Sequence, residues 1–320
     1  MQQPPYYVSK LIENRFTRPV KCAIVRSIAA KNPARRMLNG YYGLLGDEAR
    51  SRFHARYSKI FRDHSGSIAP GQWIVHFNDR EIRLPLRPSW AWLDWDIAAS
   101  IVGHDIEVIQ TYATLMRSED CPSLFLDVGA NYGMHSLLFL SAGIQTIAFE
   151  PNPHCLPYFQ TVCELNGLMG RWEQVAVGAE TGQIELVYPE RNTWLGSAAS
   201  EVVAALKSSG DVVTQLAPLK KLDAYLSDIP IDRALIKIDV EGFEREVIEG
   251  ASQVLRNCRP KVIFESNDVR SRPQLFRLFA DCEFSVYSLP WQPSIGSHCL
   301  RIGEFLRSTA TNFIAIARSA

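Results

Sequence analysis

The sequence predicts an α/β protein whose main domain is built on a mostly parallel, doubly wound sheet. Three observations support this prediction. Apolar strands alternate with helical stretches from residue 123 onward, two of these strands end in an acid, and a turn with two glycines follows the first strand. Such alternation covers both faces of a parallel sheet with helices. Ligands of these sheets bind beyond the carboxyl ends of the strands, where both acids lie.

Apolar runs and the turn residues between them set the predicted elements of the main domain. Strands are predicted at 124–128, 146–149, 172–177, 234–238, 261–265, 284–289 and 312–317. Helices are predicted at 134–141, 154–166, 222–227, 243–256 and 273–280. An extra strand is expected at 183–188, and the irregular loop 189–200 after it either covers a substrate or is a plain surface loop.

The chain of 320 residues is long enough for one main domain and an extension. We predict an N-terminal helical extension with a β-hairpin at 1–118 and the main domain at 119–320. Residues 10–62 are predicted to be mostly helical, with breaks at the helix-disrupting residues Pro19, Pro33 and Gly40.

The hairpin is predicted from two short strands at 73–78 and 81–86. Asp96 is expected to cap a helix that runs to about residue 116 and carries His104. Three tryptophans lie between the hairpin and this helix, and they either pack the hairpin or form a sugar-stacking surface.

Composition excludes several classes of protein. Hydrophobic content of 47% and charged content of 21% are typical of a globular chain. No stretch approaches the ~18–20 apolar residues of a membrane span, and the first residues lack a secretory pattern. The seven cysteines form no C-x-x-C pair and indicate reduced thiols. The sequence therefore predicts a cytoplasmic protein.

Charge is unevenly distributed, although the chain is neutral as a whole. Residues 1–70 hold 13 Lys or Arg and 4 Asp or Glu, a balance of +9. This region is either a solvated basic surface or a site for an anionic partner, such as a membrane surface, a lipid-linked phosphate or an acidic glycan. Nucleic acid is not expected, because no recognition motif accompanies the charge.

The glycine turn predicts the kind of ligand. Gly129 and Gly133 allow a sharp backbone turn, and Glu150 follows about twenty residues later, the usual distance for a carboxylate that holds a ribose. However, Asn131 replaces the middle glycine of the dinucleotide fingerprint, and Asp127 places a negative charge beside the turn. A ligand with a ribose, a positive charge and no phosphate fits this pattern, as S-adenosylmethionine does.

A second acidic group follows the predicted strand 234–238. Asp239 and Glu241 lie at or beyond its carboxyl end, and Lys237 shares the face of Asp239. A lysine inside a buried strand needs a partner. These residues are candidates for a general base and its positioning group, or they are acids at a helix N-terminus.

These segments resemble the FkbM family of S-adenosylmethionine-dependent methyltransferases. The similarity spans residues 122–265 and rests on the segments 125–133, 149–152, 166–167, 176–178 and 236–244. It implies the class I methyltransferase (Rossmann-like) fold, a seven-stranded sheet whose last strand is antiparallel. It also implies methyl transfer to oxygen, often a hydroxyl of a sugar or a polyketide-type product. No motif covers residues 1–118.

The resemblance also implies roles for individual residues. The methionine part of the cofactor would be surrounded by Asp127, Gly129, Ala130, Asn131 and Gly133. Glu150 would hold the ribose hydroxyls, and Asn152 and Ala176 would lie near the adenine. Asp239 and Glu241 would face the methyl group and the acceptor.

Asp239 is the first candidate for the base, followed by Glu241 and His104. No metal site is assigned, and metal dependence stays open. Two other functions compete with this one. A nicotinamide dehydrogenase is disfavoured by Asp127 and Asn131, and a catalytically inactive scaffold is disfavoured by the intact acidic group.

Overall fold

The computed structural model describes residues 18–64, 69–189, 199–209, 212–293 and 298–318. The chain forms two compact units, Met1–Ile106 and Glu107–Ala320. The predicted boundary at residues 118 and 119 placed the helix Ile106–Arg117 in the extension, but nearly all of it belongs to the second unit. The reason is aromatic packing, because Tyr112 lies 4.8 Å from Phe139 by ring centroid.

In its described residues, the first unit contains four α-helices, a short 3-10 helix (Pro88–Trp90) and a two-stranded sheet. The α-helices and strands are α1 (Arg18–Ala30), α2 (Asn32–Gly43), α3 (Asp47–His64), β1 (Gly71–Phe77), β2 (Arg80–Leu86) and α4 (Ala91–Ser100). The hairpin prediction is confirmed by the antiparallel pairing of β1 and β2.

Of the predicted helix breaks in the first unit, the one at Gly40 was wrong, and the one at Pro33 falls slightly earlier, at Lys31. Pro33 lies in the first turn of α2, where proline is tolerated because that amide has no helical partner. Pro19 is the second residue of α1, and Gly40 lies inside α2. The observed breaks are at Lys31, between α1 and α2, and at residues 44–46, between α2 and α3.

The predicted cap at Asp96 was also wrong. Helix α4 begins at Ala91, and Asp96 lies inside it. The fully buried carboxylate of Asp94 sits in its first turn and binds the Arg87 guanidinium, with Nη2 and Oδ1 2.8 Å apart. Helix α4 ends at Ser100, so the predicted helix is interrupted by a turn before the next helix starts.

Trp95, one of the three tryptophans after the hairpin, packs inside the first unit. Its buried ring lies 4.4 Å from Phe61 of α3 and 5.4 Å from Trp73 of β1 by centroid distance. It therefore packs the hairpin onto the helices of the first unit.

The second unit alternates strands and helices. Its strands are β3 (Leu124–Val128), β4 (Gln145–Phe149), β5 (Arg171–Glu173), β6 (Ala176–Val177), β7 (Gly182–Pro189), β8 (Val212–Lys220), β9 (Ala234–Ile238), β10 (Lys261–Glu265), β11 (Phe284–Ser288) and β12 (Asn312–Ala317). Its helices are α5 (Ile106–Arg117), α6 (Met134–Ser141), α7 (Leu156–Asn166), α8 (Ser200–Ser209), α9 (Glu244–Glu249), α10 (Ser252–Cys258), α11 (Arg272–Asp281) and α12 (Ile302–Arg307).

The main sheet has seven strands in the order β11-β12-β10-β9-β3-β4-β5. Strand β12 is antiparallel to both of its neighbours, and the other pairs among β10, β9, β3, β4 and β5 are parallel. The central strands β3 and β9 are buried along their whole length. This confirms the predicted doubly wound sheet and its antiparallel last strand. It also brings the carboxyl ends of β3, β4, β9 and β10 to one edge.

Several element boundaries differ from the prediction. The predicted strand 172–177 is two strands, because only Arg171–Glu173 pairs with β4, whereas Ala176–Val177 joins a separate sheet of order β6-β8-β7. Helix α8, strand β8 and helix α12 were not predicted. The segment Leu222–Asp228 is a 3-10 helix. Most of the loop 189–200, predicted either to cover a substrate or to be a plain surface loop, lies outside the described residues.

The predicted helix 243–256 is broken at Gly250. The carbonyl of Gly250 accepts a hydrogen bond from the Asp223 amide at 3.0 Å, so it does not continue the helix. The Asp223 carboxylate then accepts from the amides of Gln253 and Val254 and starts α10.

Buried Arg272 organises the carboxyl-terminal part of the second unit. Its two terminal nitrogens donate to four backbone carbonyl oxygens, those of Ser266, Phe305, Ser308 and Ala310. Its guanidinium also lies 5.2 Å from the ring centroid of Phe313. One side chain thereby links the residue after β10 to the carboxyl-terminal end of α12 and the residues that follow it.

Among the residues that the structure describes, no helix combines the length and apolar character needed to cross a membrane.

Candidate active site

The glycine turn after β3 packs against the carboxyl ends of the two neighbouring strands, β4 and β9. The amide of Gly129 donates to the carbonyl of Phe149 at 3.0 Å, which ties the turn to the end of β4. Gly129 has a φ of +79°, and a Cβ there would lie 1.8 Å from the carbonyl oxygen of Asp239. Asn131, with a φ of +50°, is a residue type that tolerates this left-handed conformation. Glycine is therefore required at position 129 by both conformation and space.

Glu150 joins the glycine turn to the loop after β4. Its Oε2 accepts from the Asn131 amide and its Oε1 from the Asn152 amide, each at 2.8 Å. Burial raises its pKa to about 7, although the two amide hydrogen bonds act in the opposite direction. A carboxylate oxygen has two lone pairs, so each oxygen of Glu150 can still accept a hydroxyl. The residue can hold the loops and a ribose together.

Asp127 is placed beneath the turn rather than on its surface. The side chain is fully buried, and its Oδ2 accepts from the amide and the hydroxyl of Ser136 at 3.0 and 2.7 Å. It therefore caps the first turn of α6. Burial raises its pKa, and Lys237 counters this because it is the direct neighbour of Asp127 across β3 and β9. Direct contact with a cofactor, as expected from the sequence, does not fit a carboxylate with no exposed surface.

A group of three acids and one lysine, the acidic cluster, lies at the ends of β9 and β10. It consists of Lys237, Asp239, Glu241 and Glu265. The Nζ of Lys237 lies 2.7 Å from Oδ2 of Asp239, and the lysine side chain is 3% exposed against 28% for the aspartate. The ion pair with Asp239 thus compensates for the cost of burying the Lys237 charge. This confirms the expectation that a lysine in a buried strand needs a partner.

Glu265 is a member of the cluster that sequence reasoning missed. It is the last residue of β10 and hydrogen-bonds to Asp239. Burial raises the pKa of Glu265 well above its ordinary value, and the charges of Asp239 and Glu241 add to this effect. The signal was present in the sequence, because an acid ends the apolar strand 261–265, just as Asp127 lies near the end of β3 and acids follow β4 and β9.

The pKa of Glu241 is raised to about 7. Burial is the largest cause, followed by the charges of Asp239 and Glu244, while Lys237 lowers it. Glu241 therefore exchanges its proton near neutral pH, which suits a general base.

The loop that carries Glu241 is held in an unusual backbone conformation. Glu241 has a φ of +52°, which is uncommon for a residue with a long side chain. The Oε1 of Glu244 accepts from the amides of Val240 and Gly242 at 3.3 and 3.1 Å, and so fixes the loop. Strained conformations fixed in this way are frequent at functional sites.

Two predicted site residues do not belong to the main sheet. Ala176 is buried in β6 and pairs with Leu219 in the small sheet, not in the main one. His104 belongs to the first unit, in the turn after α4, where its Nδ1 lies 3.2 Å from Asp105. Its ring centroid lies 4.9 Å from that of His54. The roles of Ala176 near the adenine and of His104 as a base stay predictions.

The residues at this edge fit a cationic nucleoside ligand. Asn131 and Gly133 shape the turn, Glu150 offers unused lone pairs, and the acidic cluster provides negative charge for a sulfonium or an ammonium. Within the described ranges, no group of three or more His, Cys, Asp or Glu residues could hold a metal ion.

The sheet order and this edge define the class of protein, an S-adenosylmethionine-dependent class I methyltransferase domain. The family model described as "Methyltransferase FkbM domain" matches residues 127–287, which is half of the chain. The chain therefore belongs to the FkbM methyltransferase family.

Two curated proteins are similar to this chain. The 31-O-demethyl-FK506 methyltransferase FkbM of Streptomyces tacrolimicus is 30% identical over 168 residues, covering 45% of this chain and 65% of that protein. Methyltransferase 1 of Beauveria bassiana is 26% identical over 144 residues, covering 40% of this chain and 58% of that protein. The matched part thus spans less than two thirds of either relative.

Solved structures show more distant similarity. A methyltransferase FkbM from Methylobacillus flagellatus KT superposes with a TM-score of 0.38 at 13% identity, covering 69% of this chain and 54% of that one. A Thermus thermophilus 16S rRNA N2 G1207 methyltransferase in complex with AdoMet and guanosine gives a TM-score of 0.39 at 13% identity, covering 78% and 51%.

Proposed function

We propose that this protein transfers a methyl group from S-adenosylmethionine to a hydroxyl oxygen of a sugar, polysaccharide or glycolipid. The observation that carries the proposal is the acidic cluster at the ends of β9 and β10, beside the glycine turn. The name of the Streptomyces relative supports oxygen as the acceptor atom, since it describes a 31-O-demethyl substrate. The sugar class rests on the family resemblance.

Several residues would hold the cofactor. The turn from Gly129 to Gly133 would face its methionine part, and Glu150 would accept hydrogen bonds from the ribose hydroxyls. Asn152, whose amide is already fixed by Glu150, would lie toward the adenine. When bound, S-adenosylmethionine supplies a methyl group on an electrophilic sulfonium, so the protein must align the acceptor and exclude water.

The acceptor hydroxyl must lose its proton during transfer, and Glu241 is the residue best suited to accept it. Its pKa of about 7 leaves a large fraction ionised at neutral pH while keeping useful basicity. The fixed loop of residues 239–243 holds its position. This assignment revises the order expected from the sequence, in which Asp239 came first.

Asp239 is better suited to positioning. One of its oxygens is engaged by Lys237 at 2.7 Å, and Glu265 hydrogen-bonds to the same carboxylate. An oxygen held by an ammonium group is less available to take a proton from a hydroxyl. Asp239 would therefore orient the acceptor hydroxyl or balance the positive charge of the cofactor.

A pair of conservative variants tests these roles. With Glu241→Gln we expect turnover to fall by ~10²-fold or more, the loss typical of a general base, while S-adenosylmethionine affinity falls only about threefold through loss of the negative charge. With Asp239→Asn we expect weaker binding of cofactor or acceptor and a smaller loss of the chemical step. Glu249→Gln, on the exposed side of α9, is the control for loss of one carboxylate.

The acceptor pool for this assay is polysaccharide and glycolipid from cells that lack the gene. If Asp239→Asn abolishes turnover while Glu241→Gln does not, the two roles are reversed. Turnover retained by both variants would leave alignment alone as the source of catalysis. A protein that binds S-adenosylmethionine yet methylates no acceptor in any pool would favour the inactive scaffold.

A further inference from the structure

The first unit contains an apolar cavity of about 540 Å³ between α1, α2 and α3. Its volume falls within the range of roughly 300–1,000 Å³ typical of small-molecule sites. Thirteen residues line it: Lys21, Ile24, Val25, Ile28, Leu38, Tyr41, Leu45, Ala49, Arg52, Phe53, Arg56, Tyr57 and Phe61. The wall is therefore mainly aliphatic and aromatic, and it lies wholly within one compact unit.

Exposed apolar side chains continue the cavity wall to the surface. Val20, Ile24 and Ile28 are spaced four residues apart on α1 and so share one face. Val20 is 60% exposed and Ile24 is 53% exposed, while Ile28 is half-buried in the cavity. On α2, Tyr41 lines the cavity and is 59% exposed. An apolar path thus leads from solvent into the cavity.

The charged residues of the wall all have the same sign. Lys21 lies one turn before Ile24 on α1, and Arg52 and Arg56 lie one turn apart on α3. The Arg52 guanidinium reaches the exposed Glu48 at 3.4 Å, an ion pair that contributes little because both side chains are solvated. No acidic residue is among the thirteen lining residues, all of which belong to the described part of the chain.

We propose that this cavity binds one anionic lipid molecule, with its hydrocarbon chain among the apolar residues and its headgroup beside Lys21, Arg52 and Arg56. An apolar interior with an all-basic set of charges complements such a molecule in both hydrophobicity and charge. A soluble acidic glycan would leave the apolar wall unused, and a neutral hydrocarbon would leave the three cations unused. The proposal concerns the first unit and does not depend on the methyl-transfer reaction.

Decyl phosphate, below its critical micelle concentration, is a suitable probe for calorimetry with the full chain. We expect saturable one-to-one binding that is tighter than the binding of decyl maltoside, which has the same hydrocarbon chain and no charge. Octyl phosphate should bind about fifteenfold more weakly, because each buried methylene changes affinity by about fourfold. Inorganic phosphate should not compete at equal concentration.

Two kinds of variant separate the parts of the site. Arg56→Gln should weaken decyl phosphate binding about tenfold and leave decyl maltoside binding unchanged. Arg26→Gln, on an exposed position of α1 that does not line the cavity, removes the same charge and is the matched control. Ala49→Phe should fill the cavity and weaken both probes, and circular dichroism shows whether it folds.

Three results would overturn the proposal. The first is no saturable binding of decyl phosphate by the full chain. The second is equal binding of the charged and neutral probes, or an equal effect of Arg56→Gln and Arg26→Gln. The third is self-association that Ile24→Ser abolishes, together with no lipid binding, which would assign the apolar face to a second copy of the chain.

Discussion

Replacing Glu150 with alanine will change stability in a pH-dependent manner and weaken cofactor binding at every pH. The folded-state pKa of about 7 lies above the ordinary value of 4.5, so the folded protein holds this proton more tightly than the unfolded chain does. The stability contributed by the proton is fully present below about pH 4.5 and is lost as pH rises toward 7. Between pH 5 and pH 8 the loss amounts to about 2–3 kcal/mol.

Urea denaturation of the wild type and of Glu150→Ala at pH 5 and pH 8 measures this quantity. We subtract the free energy of unfolding of Glu150→Ala from that of the wild type at each pH. This difference should be about 2–3 kcal/mol larger at pH 5 than at pH 8. Titration of all other groups cancels in this comparison. Glu180→Ala, in an exposed loop, is the control for loss of a carboxylate.

Calorimetry with S-adenosylmethionine completes the experiment. The carboxylate fixes the amides of Asn131 and Asn152, and it would also hold the ribose. Charge-assisted hydrogen bonds contribute about 1.5–3 kcal/mol each, so affinity should fall at least about tenfold. A stability difference that is equal at both pH values, with unchanged cofactor affinity, would show that Glu150 neither holds a proton in the fold nor contacts the ligand.

Three further predictions concern the turn, the carboxyl-terminal region and the cofactor charge. Gly129→Ala should lower the free energy of unfolding in urea by at least about 2 kcal/mol, because the new Cβ meets the Asp239 carbonyl. Gly143 has a similar φ of +78° but open space around it, so Gly143→Ala is the control and should lower the free energy of unfolding by about 1 kcal/mol. Arg272→Lys should lower the unfolding free energy by at least about 2 kcal/mol, since one ammonium cannot serve four carbonyls. Protonation of Glu241 below pH 7 should weaken the binding of S-adenosylmethionine by about threefold or more, relative to the binding of its demethylated product, which lacks the sulfonium charge. If the two affinities depend on pH in the same way, the prediction is contradicted.

The sheet was predictable because its signals are local. Apolar runs such as 124–128 and 234–238 end in acids and alternate with helices, which is sufficient to specify the seven strands of the main sheet. The positions of Glu150 and Asp239 followed from the same pattern, because strand ends in a parallel sheet meet at one edge.

The features that were missed depend on contacts between distant segments. The break at Gly250 arises because its carbonyl accepts a hydrogen bond from the distant Asp223 amide, a contact that no local pattern reports. The burial of Asp127 under α6 depends on Ser136 and on the packing of the helix. Glu265 ended a predicted strand, but its role became visible only once β10 was placed beside β9.

The most direct test of the central claim follows the methyl group itself. The protein is incubated with S-adenosylmethionine carrying a deuterated methyl group and with glycan and glycolipid extracts from cells that lack the gene. The account predicts the label on a sugar hydroxyl oxygen by mass spectrometry and linkage analysis, with at least about a hundredfold less label for Glu241→Gln. Label on nitrogen or carbon, or label on oxygen that Glu241→Gln leaves unchanged, would contradict it.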